Sequence, residues 1–511
     1  VQRITSELSS TLDTKVEIER VDIAFFKTVE ISGIYIEDQQ QDTLLYAQQI
    51  NASIGLFSLF DAQVILNDIT IQDAIVNLHR SADQEDYNFT FLLNAFVTSD
   101  TIPKEKEATG EWVFEIEQAN LQKVALSLQD AYAGINLQTT IGTMAAALNQ
   151  MNLAEQSLDF SKLQIDQSNL SLALNTPSTL AQANNQDAPV EEPTALSFPY
   201  SGWDLAFQQI DLTETSIALK NVLLNQTDSI TKSTKKQLDL SDLALEKVNV
   251  SIDDLLWQKD KMEATIQEVS FREKSSFQLN KLHAEIEVSP KKIHIIDLII
   301  QTPESTFGNT TKIAFQQFSD LTNAIENINL TSNFSKTKID YADVKTWTNS
   351  FGELPYIDLS ANQFVQLNGS IRGNLQQLIA DNLRVQVSDV LQLKMSGKAE
   401  RLMDPKNRSV DINLTELSTS YDKATSVLKE VPLPKALQKF GLFHLKGIIK
   451  GKLHDLNLQD LVLETEASTG FHLSGAIKGL PEMEDLNMTL DIQNLQTIAA
   501  DVDGFVENGL P

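Results

Sequence analysis

Apolar and polar residues alternate along most of this chain. Residues 66–78, LNDITIQDAIVNL, set the pattern: Leu66, Ile69 and Ile71 are apolar, a polar break follows, and Val76 and Leu78 resume the alternation. Apolar residues at every second position predict strands with one buried face, so the window reads as two short strands across a tight connection. The pattern recurs at 116–128, 160–172, 207–219 and 240–252. Recurrence of one unit predicts stacked, similar elements rather than several independent globules.

The period differs only in places. Val1, Ile4, Leu8 and Leu12 fall on one helical face, predicting a short amphipathic helix that ends near Asp13. From Lys15 the period is two, through Val16, Ile18, Val21, Ile23, Val29, Ile31, Ile34 and Ile36. Residues 38–43 read as a loop, and 55–60 as a turn or brief helix. The aromatic-rich stretch 86–96 fits an element packed against the apolar interior. Residues 98–110 read as a loop, and 175–200, with four prolines and no period, as a loop or linker. A shift of 78 positions (447 minus 369) lays Gly369, Ile371, Gly373, Leu375, Leu378 and Leu383 on Gly447, Ile449, Gly451, Leu453, Leu456 and Leu461. Each copy follows a candidate helix, at 341–351 and 421–440. The expected organisation is therefore a helix over 1–13, β segments over 14–174 and 201–340 flanking the linker, and two helix-plus-strand repeats over 341–511.

Composition narrows the function. A formal net charge of -30 repels phosphates and argues against nucleic acid as a partner. No apolar run reaches the ~20 residues of a membrane helix. The chain lacks an initiating Met and a signal sequence, so it reads as an internal piece of a longer protein. No catalytic or nucleotide-binding signature occurs, the six histidines lack metal-ligand spacing and a carboxylate partner, and zero cysteines exclude disulfides. The expectation is a protein that is not an enzyme and needs no metal or cofactor.

Two stretches carry a family resemblance. Residues 14–80, beginning TKVEIERVDIAFF, and 431–468, VPLPKALQKFGLFHLKGIIKGKLHDLNLQDLVLETEAS, resemble TamB-like proteins of the AsmA superfamily, the inner-membrane component of the translocation and assembly module, in its Bacteroidetes form. The resemblance implies a mainly β fold, an elongated taco-shaped antiparallel β-groove built of repeats, related to bridge-like lipid-transfer proteins. It implies a periplasmic location in a Gram-negative bacterium, attachment to the inner membrane through an anchor absent from this chain, phospholipid as cargo, and an Omp85-type outer-membrane protein as partner in outer-membrane biogenesis and protein secretion. Candidate lipid-contacting residues are then the inward apolar positions: Ile69, Ile71, Val76, Leu78, Leu121, Leu126, Leu128, Leu243, Leu245, Val250 and Ile252, and later Leu383, Val385, Leu393, Met395, Leu461, Leu463, Phe471 and Leu473. A structural scaffold or assembly factor for outer-membrane protein insertion, with the groove filled by its own side chains, is the alternative, and an adhesin-like solenoid a third reading. DTL at 42–44, DTI at 100–102 and DSI at 228–230 resemble a Bacteroidetes O-glycosylation sequon, with Thr43, Thr101 and Ser229 as acceptors.

Overall fold

The computed structural model describes residues 1–24, 28–54, 63–84, 86–92, 113–152, 155–176, 197–200, 202–221, 239, 241–344, 360, 362–428, 438, 441–466, 469–480 and 486–498. It is mainly β and mainly antiparallel, with two units: Val1–Thr194 with Tyr200–Leu279, and Ala195–Pro199 with Asn280–Pro511. The division falls inside the segment 201–340 expected from sequence.

The first unit opens with α1 (Gln2–Leu12), which ends on Asp13 in the left-handed conformation (φ 48°), where the sequence places it. Its strands are β1 (Val16–Ala24), β2 (Thr28–Glu37), β3 (Thr43–Ile54), β4 (Gln63–Arg80), β5 (Val113–Ile116), β6 (Gln118–Asp130), β7 (Ile135–Asn152), β8 (Ser157–Asp166), β9 (Asn169–Leu174), β10 (Asp204–Asn221), β11 (Asp242–Gln258) and β12 (Lys261–Glu273). Neighbours run antiparallel except at two joints. There β4 lies parallel to β5 and β6, and β10 lies parallel to β8 and β9. A parallel pair needs a crossover of a dozen or more residues. Those crossovers span 81–112 and 175–203, where the alternation lapses in the sequence.

The recurrent windows are not hairpins. Residues 66–78 lie within the single strand β4, 207–219 lie within β10, and 242–252 of the last window lie within β11. Residues 160–172 occupy β8 and β9, which share the partners β7 and β10 in one line. The polar break is a single residue held at positive φ: Asp73 (49°), Lys123 (51°), Gln167 (48°), Glu214 (47°) and Lys247 (51°). Each is the eighth residue of its window, and each is followed by a buried small or β-branched residue: Ala74, Val124, Ser168, Thr215 and Val248, all at most 5% exposed. One left-handed residue shifts the alternation by one, so Ile69 and Ile71 before it share a face with Ala74 and Val76 after it. The windows also lie side by side, position for position: Ile69 pairs Ala119 and Ile71 pairs Leu121, while Leu163 pairs Ile210 and Ile165 pairs Leu212.

The second unit is an antiparallel meander in chain order: β13 (Gln278–Ser289), β14 (Lys292–Gln301), β15 (Thr306–Ala314), β16 (Asn329–Asp340), β17 (Phe364–Gly373), β18 (Gln377–Val387), β19 (Leu391–Glu400), β20 (Ser409–Ser420), β21 (Leu442–Lys452), β22 (Asp455–Thr465), β23 (Gly470–Lys478) and β24 (Asn487–Gln496). Left-handed residues interrupt these strands too, at Asp297, Lys336, Asn382 and Asp460. Register shifts lie beside them. Two short helices, α2 (Asp320–Asn323) and α3 (Tyr421–Val427), join strands. The candidate helices at 341–351 and 421–440 are seen as a helical turn over 341–344 and as α3, and 345–351, 429–437, 439 and 440 lie outside the described residues, as do 55–60 and 98–110.

Candidate functional site

Directly paired residues point to one face of a sheet, so the registers of the first unit can be read as rows. Val21, Ile31, Ile50, Ile71, Leu121, Met144, Ile165, Leu212, Val250 and Val269 form one row across ten strands. Ile23, Val29, Ala52, Ile69, Ala119, Ala146, Leu163, Ile210, Ile252 and Ile266 form the next. Neither contains a polar residue. Beyond the left-handed residues, Leu78, Leu128, Leu137, Leu172, Leu219 and Leu243 make a row of leucines. Val76, Leu126, Thr139, Leu170, Ile217 and Leu245 run beside it. All eleven candidates of this unit thus fall in four rows. They are half-buried, whereas the seam of residues that follow the left-handed positions is buried. Phe160 and Phe207, in neighbouring strands, stack with centroids 4.6 Å apart.

The opposite face is polar and internally bonded. Asp211 accepts from Gln209 Nε2 (2.7 Å) and Ser251 Oγ (3.0 Å) and faces Lys162 Nζ at 3.8 Å. Asp68 accepts from Thr70 and Asn120, each at 3.0 Å. A concavity of about 550 Å³ is lined chiefly by small and polar residues of this face, such as Ser127, Gln138, Ser171 and Ala218. Its lining also includes Leu126, Thr139, Leu170, Ile217 and Leu245 of the row that starts at Val76.

At one margin of the unit, Arg80 and Asp130 form a fixed pair. Asp130 is 2% exposed. It accepts from Arg80 Nη2 (2.5 Å) and Nε (2.9 Å), Tyr87 Oη (2.7 Å) and the Ala133 amide (2.9 Å). The bond from Arg80 is the main cause holding the Asp130 carboxyl down at about 2, against the penalty of burial. The guanidinium lies over the rings of Tyr87 and Tyr132, 4.5 and 4.7 Å from their centroids. Burial first, then the bond to Asp130, pushes the Tyr87 hydroxyl up. Every acceptor here is satisfied, so the cluster fastens β4, β6 and the start of the crossover rather than offering a site.

In the second unit, Leu367, Val385, Leu393, Leu417, Leu445, Leu463, Phe471 and Leu495 form a row across eight strands. Leu383 pairs Met395, and Leu461 pairs Leu473. The candidates divide here: Leu463 (4%) and Leu473 (6%) are buried, while Leu383, Val385, Leu393, Met395, Leu461 and Phe471 are half-buried. Val387 and Val390 pack with Val427 of α3 and with Tyr341 and Val344, so helical side chains fill part of this unit.

Thr43 opens β3, half-buried, and its hydroxyl donates to Tyr35 Oη at 3.3 Å. Thr101 and Ser229 lie outside the described residues. Three histidines do meet a carboxylate, contrary to the sequence expectation: His79 Nδ1 with Asp38 (3.8 Å), His294 Nδ1 with Glu287 (3.6 Å) and His472 Nε2 with Asp460 (3.4 Å). Their partners lie on neighbouring strands or loops, which sequence spacing does not reveal. Among the described residues no group of three or more metal-ligating side chains converges, and no helix is long and apolar enough to cross a membrane. Comparison with known proteins returns nothing: no family model, no curated protein and no solved structure matches the chain.

Proposed function

We propose that the apolar rows hold the acyl chains of phospholipids, and that the chain is a segment of a bridge-like lipid-transfer protein. In this reading it works in the periplasm between the inner and outer membranes, as its resemblance to TamB-like proteins implies. The observation that carries the proposal is the pair of ten-strand rows without a polar residue, half-buried along their length except at Ile23, which is exposed, and Ala146, which is buried. Sheet rows of a closed core are shielded by a second layer; these are shielded only in part. A diacyl phospholipid has roughly thirty methylenes, so covering both tails is worth on the order of 25 kcal/mol at ~0.8 kcal/mol each. A face without charge lets such tails pass along it, and head groups keep their water at the margin. The left-handed seam supports a trough, because each such residue bends its strand. A repeat construction is supported by strand boundaries: β17 and β21 begin 78 residues apart (442 minus 364), as do β18 and β22 (455 minus 377).

The scaffold reading is favoured by one observation, the burial of Leu414, Leu463 and Leu473 in the second unit. The two readings separate on lipid extraction and mass analysis of protein purified without detergent. Copurifying phospholipid, lost in Leu121→Asp and Leu219→Asp while the fold persists, is the expected result. A lipid-free, stable protein overturns the transfer reading in favour of the scaffold. Leu473→Asp does not discriminate, since its site is closed to water.

A further inference from the structure

One row of the first unit and its buried seam begin under a helix. Leu12 of α1 is 5% exposed and shares a cluster with Val16, Ile18 and Ile34, and Leu8 packs on the same cluster. These strand residues are the β1 and β2 ends of the apolar face. Val16 pairs through Ile36 and Leu45 with Val76, so the side chains of α1 stand at the head of the row that runs on through Leu126, Leu170, Ile217 and Leu245, where it is half-buried, and on the Ile18–Ile34 end of the buried seam.

The attachment of α1 is slight. Its N-terminal residue Val1 supplies no side-chain cap, and the Arg3–Glu7 ion pair lies in solvent, with side chains 90% and 67% exposed. Two kinds of polar contact tie its C-terminal turn down: Ser9 Oγ accepts from the Val16 amide (3.0 Å), and Gln39 Nε2 donates to the Leu12 carbonyl (3.1 Å). A three-turn helix of this composition has little stability of its own, so its order depends on Leu8 and Leu12 staying docked.

We infer that α1 is a displaceable stopper, whose Leu8 and Leu12 occupy the β1 end of the apolar face until an acyl chain takes their place. The inference rests on the proposed lipid-binding function. An acyl chain and the two leucines offer the same apolar contact, so binding at this end is a competition, and the lipid gains only the difference between them. Loaded protein then carries a released α1, whose apolar side chains are free to engage whatever apolar surface delivers or receives the lipid.

The test uses the full chain with pyrene-labelled phosphatidylcholine donated from vesicles. Pyrene transfer reports lipid binding, and hydrogen exchange of the amides of residues 5–12 reports α1. The expected result is transfer together with exchange about tenfold faster in α1 and unchanged in the centre of β6. Leu8→Asp, which loosens the helix without entering the strand rows, should tighten pyrene binding by up to about tenfold. Transfer with unaltered α1 protection and no effect of Leu8→Asp overturns the stopper and leaves the lipid-binding proposal standing. Failure of both the parent and Leu8→Asp to take up pyrene overturns the proposed function and the stopper with it. Uptake by Leu8→Asp alone supports both, with α1 as the barrier.

Discussion

Placing a carboxylate in two neighbouring parts of one sheet face separates an open row from a packed core. Leu219 lies in the half-buried leucine row of β10, and Val124 lies in the seam of β6 at 5% exposure. Full burial of a leucine side chain is worth about 1.5–3 kcal/mol, so at half burial Leu219→Asp forfeits about 1 kcal/mol, and the new carboxylate keeps its water. Val124→Asp loses a buried side chain of similar worth and also places an unpaired charge among Ala74, Ile71 and Leu121, for a total of about 3–5 kcal/mol. Native-state hydrogen exchange of β6, β7 and β10 amides measures both costs without assuming that the two units unfold together. Lipid extraction from the same preparations gives the second half of the prediction. Leu219→Asp should hold a fold close to the parent's and lose bound phospholipid, whereas Val124→Asp should lose exchange protection first. Equal destabilisation by the two substitutions would refute the reasoning, because the leucine row would then be as closed as the seam.

Other consequences follow from single residues. Asp130 titrates at about 2 in the folded protein against an ordinary value of 3.8. A depressed carboxyl stabilises above its unfolded pKa, so about 1–2 kcal/mol should be present above pH 4 and fade as pH falls from 4 to 2. An acid titration followed by near-ultraviolet circular dichroism should show that loss, and Asp130→Asn should remove this contribution and so flatten the pH dependence in this window. Lys123 is exposed at φ 51°, so Lys123→Val should lower the thermal midpoint at a cost of about 1–2 kcal/mol while Lys123→Gly does not. Gly447 sits at φ 150°, where an added Cβ would lie 2.8 Å from the Leu461 Cα, so Gly447→Ala should destabilise β21 by about 1–3 kcal/mol, seen in exchange of its amides. Leu473→Asp should unfold part of the second unit, whereas Leu393→Asp should leave it folded, as limited proteolysis would register.

The strands were legible because their signal is local. Side chains that face alternately inward and outward leave a period of two, and α1 was found by its own period and by its stop at Asp13. The seam was not recognised, although its signal stands in the sequence. The eighth residue of every window is polar, the ninth is small or β-branched, and the apolar phase slips by one between them. A polar pair between apolar runs resembles a turn, and only the pairing partners show that the strand goes on. The parallel joints were missed for a related reason. A long interruption between two like windows is what a crossover requires, but the same interruption fits a loop between domains. Facing was legible wherever one face stays apolar, which is why the candidates of the first unit fall into common rows. Exposure was not, because it depends on what lies above the sheet: Leu463 and Leu393 have the same pattern around them, and only one is shut off from water. The Asp130 cluster also escaped notice, since Arg80, Tyr87 and Asp130 are separated in the chain and meet only through the register of β4 with β6.

The last described strand carries the argument about apolar rows to its limit. Every residue of β24 is exposed, including Met488 (55%), Leu490 (40%), Ile492 (54%) and Leu495 (57%), and among the described residues β24 pairs only with β23. Natural edges are usually blunted by charge, proline or a cover, because a flat apolar edge recruits further strands. Here Asp491 is the one charged residue of the strand, and it alternates with the apolar side chains, so it points away from them. The chain's net charge of -30 opposes association at long range, but at 0.15 M salt that repulsion is screened beyond about 8 Å. Raising the salt should therefore promote self-association of this chain through β24. Light scattering across a salt series would show it, and Leu490→Lys with Ile492→Lys should suppress it while leaving β23 amides protected. A parent chain that stays monomeric at high salt would show instead that the edge is covered, and would shift the account of these four residues from exposure to an intramolecular contact.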